Sequence, residues 1–130
     1  MADRTTPQDG GVEAPEPLLP EESVLTLEEY LAMQRAIGDE TRFQLVRTLS
    51  HNGPLSATEL GEALDIEGNR LHYHLNRLVD VGLVQKRKRK EADEDGLFVS
   101  YRVSALGQGI LAHGVEELMA REHEFVERYR

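Results

Sequence analysis

The stretch Ser56-Ala57-Thr58-Glu59-Leu60-Gly61-Glu62-Ala63-Leu64-Asp65-Ile66-Glu67-Gly68-Asn69-Arg70-Leu71-His72-Tyr73-His74-Leu75-Asn76-Arg77-Leu78-Val79-Asp80-Val81-Gly82 decides how this chain is read. Ser56 followed three residues later by Glu59 makes a capping box, and Leu55 and Leu60 are placed to staple the first turn, so a short helix is predicted over 57–64. Asp65-Ile66-Glu67-Gly68 breaks it. A second helix then runs to about Asp80, with Leu71, Leu75, Leu78 and Val79 on its apolar side and Gly82 as its C-terminal stop. Two short helices meeting across a tight turn have helix-turn-helix spacing, in which the second is free to offer its polar face to a DNA major groove.

Working outward, Thr26 and Glu29 form another capping box with Leu25 and Tyr30 as the staple. A first helix is expected there, with Leu27, Tyr30, Leu31 and Ile37 as its apolar stripe. Gly38 is expected to end it in a left-handed conformation, and Asp39 to cap a helix over 40–50 that turns Phe43, Val46 and Leu49 inward. His51-Asn52-Gly53-Pro54 reads as a loop. Beyond Gly82, the runs Leu83–Lys90 and Leu97–Val103 flank the acidic segment 91–96. The second run alternates Leu97, Val99, Tyr101 and Val103 with Phe98, Ser100 and Arg102, the pattern of a β-hairpin. Ser104 can cap one long final helix, because Leu111, Val115, Leu118, Phe125 and Tyr129 fall at heptad-like steps. Gly107, Gly109 and Gly114 weaken that helix unless they permit close packing or a bend.

The chain has 130 residues and a formal charge of −9, which looks wrong for a nucleic-acid binder. Distribution resolves the conflict. Residues 1–30 alone carry −7, whereas residues 67–90 carry +5 through Arg70, Arg77, Lys86, Arg87, Lys88, Arg89 and Lys90 set against Glu67 and Asp80. A basic stripe on an acidic body supplies the local field that phosphate contact needs. The acidic remainder resembles proteins of salt-loving archaea. Residues 1–22 hold four of the five prolines and almost no apolar periodicity, so they read as a disordered acidic tail. Three regions result: the tail 1–22, a DNA-binding domain over 23–104, and a C-terminal dimerisation helix over 105–130. The absence of cysteine excludes disulfides and thiol chemistry, and no run of about 18 apolar residues suits a membrane, so a cytoplasmic protein is expected.

From Ala36 to Val103 the chain resembles the arsenic-repressor (ArsR-like) branch of winged helix-turn-helix regulators. The residues that carry the resemblance are Ile37-Gly38-Asp39-Glu40-Thr41-Arg42, Leu71-His72-Tyr73-His74-Leu75-Asn76-Arg77-Leu78, Gly82-Leu83-Val84, and Tyr101-Arg102-Val103-Ser104 followed by Gly107. The resemblance implies a mainly α fold with a small β-hairpin, in the order α-α-α-α-β-β-α. It also implies a homodimeric regulator or repressor, of the stress-response kind, that binds double-stranded DNA at a palindromic operator. Carried over, it puts Asn69, Arg70, His72, Tyr73, Asn76 and Arg77 on the reading face of the recognition helix. Arg70 suits guanine O6 and N7, and Asn69 or Asn76 suits adenine N6 and N7. His74 is assigned to phosphate or packing. Lys86, Arg87, Lys88, Arg89 and Lys90, on the first strand of the wing, are expected to touch the DNA backbone or a minor groove. Leu27, Leu31, Leu111, Val115, Leu118, Phe125 and Tyr129 are the expected dimer contacts.

Two alternatives are set against this reading. A metal-sensing repressor would use His113, Glu116, Glu117, His123, Glu124 and Glu127, but Leu111 stands where such sensors have an acid and the histidine spacing is one short, so no metal and no cofactor is expected. A winged helix of the transcription machinery would serve protein contact, and Arg70, Asn76 and Arg77 favour DNA over an apolar partner groove. An enzyme is not expected: there is no Gly-rich phosphate loop, no cysteine nucleophile, no Gly-x-Ser-x-Gly elbow and no His-Glu-x-x-His.

Overall fold

The computed structural model describes residues 11–90 and 97–129, with the backbone alone at Lys90, Leu97 and Tyr129. Residues 11–22 carry no helix or strand. Four helices come first: α1 (Leu27–Ile37), α2 (Glu40–Asn52), α3 (Ala57–Leu64) and α4 (Gly68–Asp80). An antiparallel hairpin follows, β1 (Val84–Lys90) with β2 (Leu97–Val103), and then three short helices, α5 (Ala105–Ala112), α6 (Val115–Ala120) and α7 (Glu122–Tyr129).

Local hydrogen bonds start the helices where the side chains allow. Thr26, Asp39, Ser56 and Ser104 each accept the backbone N–H of the residue three positions on, and Thr26 and Ser56 complete reciprocal boxes with Glu29 and Glu59. Each such cap stabilises its helix by about 1 kcal/mol. Glu67 caps α4 in the same way, although its sequence position reads only as a break. At the other end of α4, the Leu83 N–H donates to the Leu78 carbonyl and the Gly82 N–H to the Val79 carbonyl. With Gly82 at φ +87°, this is a Schellman motif, and it folds Leu83 back over Leu78.

Leu45, Val46 and Leu49 of α2, Leu60 of α3, Leu71, Leu75 and Leu78 of α4, and Leu83, Val84 and Tyr101 of the hairpin form the core, with Met33, Ala36 and Leu111 closing it. Four expectations are corrected. On α1 it is Met33 and Ala36 that are buried, while Leu27, Tyr30 and Leu31 stay exposed, because only the C-terminal half of α1 reaches α2 and α4. On α2, Leu45 joins the core and Phe43 is only half-buried. Gly38 is right-handed (φ −74°), since Asp39 takes the extended conformation that redirects the chain into α2.

The fourth correction concerns the long final helix, which is three helices. Gly114 leaves helical geometry (φ −108°, ψ −135°), and a side chain there would crowd the Ile110 carbonyl. Arg121 interrupts the run again. Leu111 is consequently a core residue, 4% exposed, and not part of an outward stripe. Ser104 Oγ donates to the Gly82 carbonyl (2.6 Å) and its N–H to Leu83 (3.0 Å), drawing α5 onto the hairpin. The approach is close enough that a Cβ on Gly107 would overlap the Leu83 carbonyl and Val103 Cγ2. A Cβ on Gly109 would meet nothing within 4 Å.

The two glycines therefore respond oppositely to alanine. Gly107→Ala is expected to destabilise the fold by about 1–3 kcal/mol through overpacking. Gly109→Ala should stabilise it by about 0.4–1 kcal/mol, because it only restricts the unfolded chain. Urea denaturation midpoints of the two variants check this, and shifts of the same sign would show that α5 does not pack as described.

Candidate nucleic-acid interface

At about 100° per residue, α4 separates into two arcs. Leu71, His74, Leu75 and Leu78 point into the core, and Asn69, Arg70, His72, Tyr73, Asn76 and Arg77 are all exposed on the other side. The residues expected to read DNA thus share one surface, next to α3 and its left-handed C-cap Asp65 (φ 56°). Their hydrogen-bonding groups include the guanidinium and carboxamide forks that match base edges.

His74 is the only polar side chain in the buried arc, and it packs. Its Nδ1 lies 2.9 Å from Arg42 Nη1 and 3.9 Å from the Asp39 carboxylate, and its ring meets Tyr73 edge-on. An arginine can only donate, so Nδ1 must accept and the imidazole is neutral. Arg42 Nε also donates to the Ala36 carbonyl at 2.7 Å, while Asp39 accepts the Arg42 backbone N–H at 3.0 Å. One guanidinium therefore links the end of α1, the start of α2 and the inner side of α4. Arg70 is tied to α2 as well, its Nη2 donating to Thr41 Oγ1 at 3.0 Å. Sequence reading did not give Thr41 or Arg42 a role. The available signal was that Arg42 stands three and four residues before Leu45 and Val46, on the face that α2 buries.

The hairpin register divides the basic run. Lys86 and Lys88 pair with Tyr101 and Val99, whereas Arg87 and Arg89 pair with Ser100 and Phe98. Because side chains alternate across a pleat, Lys86 and Lys88 lie on one face of the strand and Arg87 and Arg89 on the other. Lys86, Arg87, Lys88 and Arg89 are exposed, with the Arg89 guanidinium 5.1 Å from the Phe98 ring centroid. The side chain of Lys90 and the acidic segment 91–96 lie outside the described residues. The hairpin is anchored by an unforeseen pairing, Leu55 N–H to the Tyr101 carbonyl (3.0 Å) and Tyr101 N–H to the Leu55 carbonyl (2.8 Å), which joins it to the start of α3.

Of the expected dimer contacts, Leu27, Leu31, Val115 and Leu118 are exposed, Phe125 is half-buried, Leu111 is buried within the chain, and the Tyr129 side chain lies outside the described residues. Tyr30, Phe43, Ile110, Val115, Leu118 and Phe125 line one groove, so α1 and the C-terminal helices contribute to a common apolar surface. Glu116 lies 3.8 Å from Arg47, and Arg121 pairs with Glu117 and Glu124. Among the described residues no three His, Asp or Glu side chains gather as a metal site, and no helix is long and apolar enough to cross a membrane.

A recognition helix behind a tight turn, followed by a basic hairpin, defines a winged helix-turn-helix protein. Residues 37–87 match the family model described as a helix-turn-helix domain. A Halobacterium salinarum protein bearing the name of an arsenical resistance operon repressor, ArsR, is 29% identical over 86 residues, which are 65% of this chain. The chain spans 62% of the length of that relative. The transcriptional regulator HlyU of Vibrio vulnificus CMCP6 is 30% identical with a TM-score of 0.52, covering 65% of this chain and 82% of that one. An ArsR-like transcriptional regulator from Rhodococcus sp. RHA1 is 25% identical with a TM-score of 0.52, covering 78% and 89%. The chain belongs to the ArsR-like winged helix-turn-helix regulators, a class of transcription regulators and not of enzymes.

The His74 arrangement has a pH signature. Burial holds its imidazole below the ordinary value of 6.5; Asp39 pulls it upward, and the positive charges of Arg42, Arg70 and Arg77 push it further down. The unfolded histidine takes up a proton near 6.5 while the folded one still refuses it. Stability from this group is therefore complete above about pH 6.5 and is lost as pH falls through the lower folded value. His74→Asn keeps an acceptor for Arg42 but cannot titrate. Its stability should vary less between pH 7 and 5 than that of the wild type, measured by thermal melts in matched buffers; equal slopes would refute the assignment.

Proposed function

We propose that this chain is a sequence-specific DNA-binding transcription regulator that acts in the cytoplasm as a homodimer on a palindromic operator. The observation that carries the reading is the exposed arc of α4, where six polar side chains stand opposite a leucine stripe buried in the core. Arg70 reads guanine, Asn69 or Asn76 reads adenine, and Arg77, His72 and Tyr73 contact phosphate or flanking bases. The wing adds phosphate contact from whichever of its two faces meets the duplex, through Lys86 and Lys88 or through Arg87 and Arg89. The name of the Halobacterium relative supports repression as the output, and a stress signal fits the same class.

The dimer is built from α1 and the C-terminal helices, whose exposed Leu27, Leu31, Val115 and Leu118 leave apolar surface uncovered on a single chain. Two equivalent recognition helices then meet two half-sites about one helical turn apart.

Arg70→Ala is expected to weaken operator binding by about 1–3 kcal/mol while binding to random duplex changes much less. Gel shifts on an operator selected from a random duplex pool measure both, and equal weakening on the two would make Arg70 a phosphate contact only. For the dimer, Leu118→Glu should raise the dissociation constant at least roughly tenfold, since burying an unpaired carboxylate costs several kcal/mol. The substitution is exposed on the single chain and should leave its fold intact. Sedimentation velocity reports the change, and an unaltered dimer would place the interface elsewhere.

A further inference from the structure

Three of the side-chain contacts that α4 makes with the rest of the domain differ in kind from the others. Its leucines are held by burial, which is nondirectional and tolerates small rotations of the helix about its axis. A rotation of about 20° moves an atom at the ~5–6 Å rim of a helix by roughly 2 Å. That displacement exceeds what a base-edge hydrogen bond tolerates. A reading helix held by leucines alone would present its side chains over a spread of orientations.

Directional side-chain contacts remove that freedom, and among the described residues they come from one segment, Asp39–Arg42. His74, the lone polar group in the buried arc of α4, accepts from Arg42 Nη1 at 2.9 Å, with the Asp39 carboxylate 3.9 Å away. Arg42 is fixed in turn by the Ala36 carbonyl at 2.7 Å and, through its backbone N–H, by Asp39 at 3.0 Å. On the exposed side Arg70 Nη2 donates to Thr41 Oγ1 at 3.0 Å. A guanidinium has five N–H donors, so this bond leaves enough to fork onto a base while restricting the side chain to few rotamers. Among the described residues no buried side-chain nitrogen or oxygen lacks a partner, so the network is closed and losing one member strands another.

We propose that Thr41 and Arg42, on α2 and outside the reading face, are positioning residues for sequence recognition: Arg42 sets the rotation of α4 through His74, and Thr41 holds the Arg70 guanidinium ready for its base. This rests on the DNA-reading role proposed for α4. The residues decide how well operator is told from other DNA, and they leave sequence-independent phosphate attraction largely untouched.

The test compares the dissociation constants for a random duplex and for an operator selected from a random duplex pool, and reads their ratio. Thr41→Val removes the acceptor at nearly constant shape and should lower the ratio about two- to tenfold, the effect of having to order one long side chain on binding. Thr41→Ser should restore it. His74→Leu should lower the ratio by roughly tenfold or more, because it frees the rotation of α4 and strands Arg42. His74→Asn, which puts an amide oxygen near the place of Nδ1, should recover most of the loss. Circular dichroism melts establish folding, and the Thr41 pair decides the matter alone if His74→Leu does not fold. Wild-type ratios in both Thr41→Val and His74→Leu overturn the inference. So do Thr41→Ser and His74→Asn as impaired as their apolar counterparts, because packing and not hydrogen bonding would then be at work. A wild-type ratio of one overturns the reading role of α4 itself.

Discussion

The burial of one arc of α4 is the constraint on which the rest of this structure depends. Leu71, Leu75 and Leu78 are the place where α1, α2, α3 and the hairpin meet, so α4 is the centre of the core and also its outer wall. A helix in that position must have two unlike faces. The face toward the core is chosen by apolar packing, and the face toward solvent is then free to carry forks and charges at no cost to the fold. DNA-binding specificity can change in such a molecule without altering what holds it together.

The wing is tied to that centre by backbone bonds. Leu83 returns over Leu78 through the Schellman turn at Gly82, Ser104 bonds across to Gly82 and Leu83, and Leu55 pairs with Tyr101. These contacts fix where the hairpin leaves the domain relative to α4. Gly107 belongs to the same junction, where the only residue that fits is one without a side chain.

Electrostatics is local in the same sense. The net charge of −9 describes the whole chain, yet the surface that would meet phosphate carries the basic residues of α4 and β1, and the acids of the described N-terminal segment lie at the other end of the sequence. Arg42 is half-buried and bonded inward. It is spent on an internal carbonyl and an imidazole, and a charged group in that setting is retained only because every one of those partners is in place.

Much of this was legible in the sequence, and the legible part has a common cause. The caps at Thr26, Asp39, Ser56 and Ser104, the limits of α3, the stop at Gly82 and the two strands depend on groups within a few residues of each other, whose geometry the backbone alone dictates. The exposed face of α4 was legible for the same reason, since helical period places its residues. What the tertiary structure decided involves partners far apart in the chain. Arg42 meets His74 across 32 positions, Arg70 meets Thr41 across 29, and Leu55 joins Tyr101 by pairing with a strand no local pattern announces. The withdrawal of Leu111 into the core follows from where α5 docks, and the breaks at Gly114 and Arg121 cut the periodic run short. A periodic pattern states which residues can share a face; only packing states which faces find a partner, and how far each helix runs before it must turn to reach one.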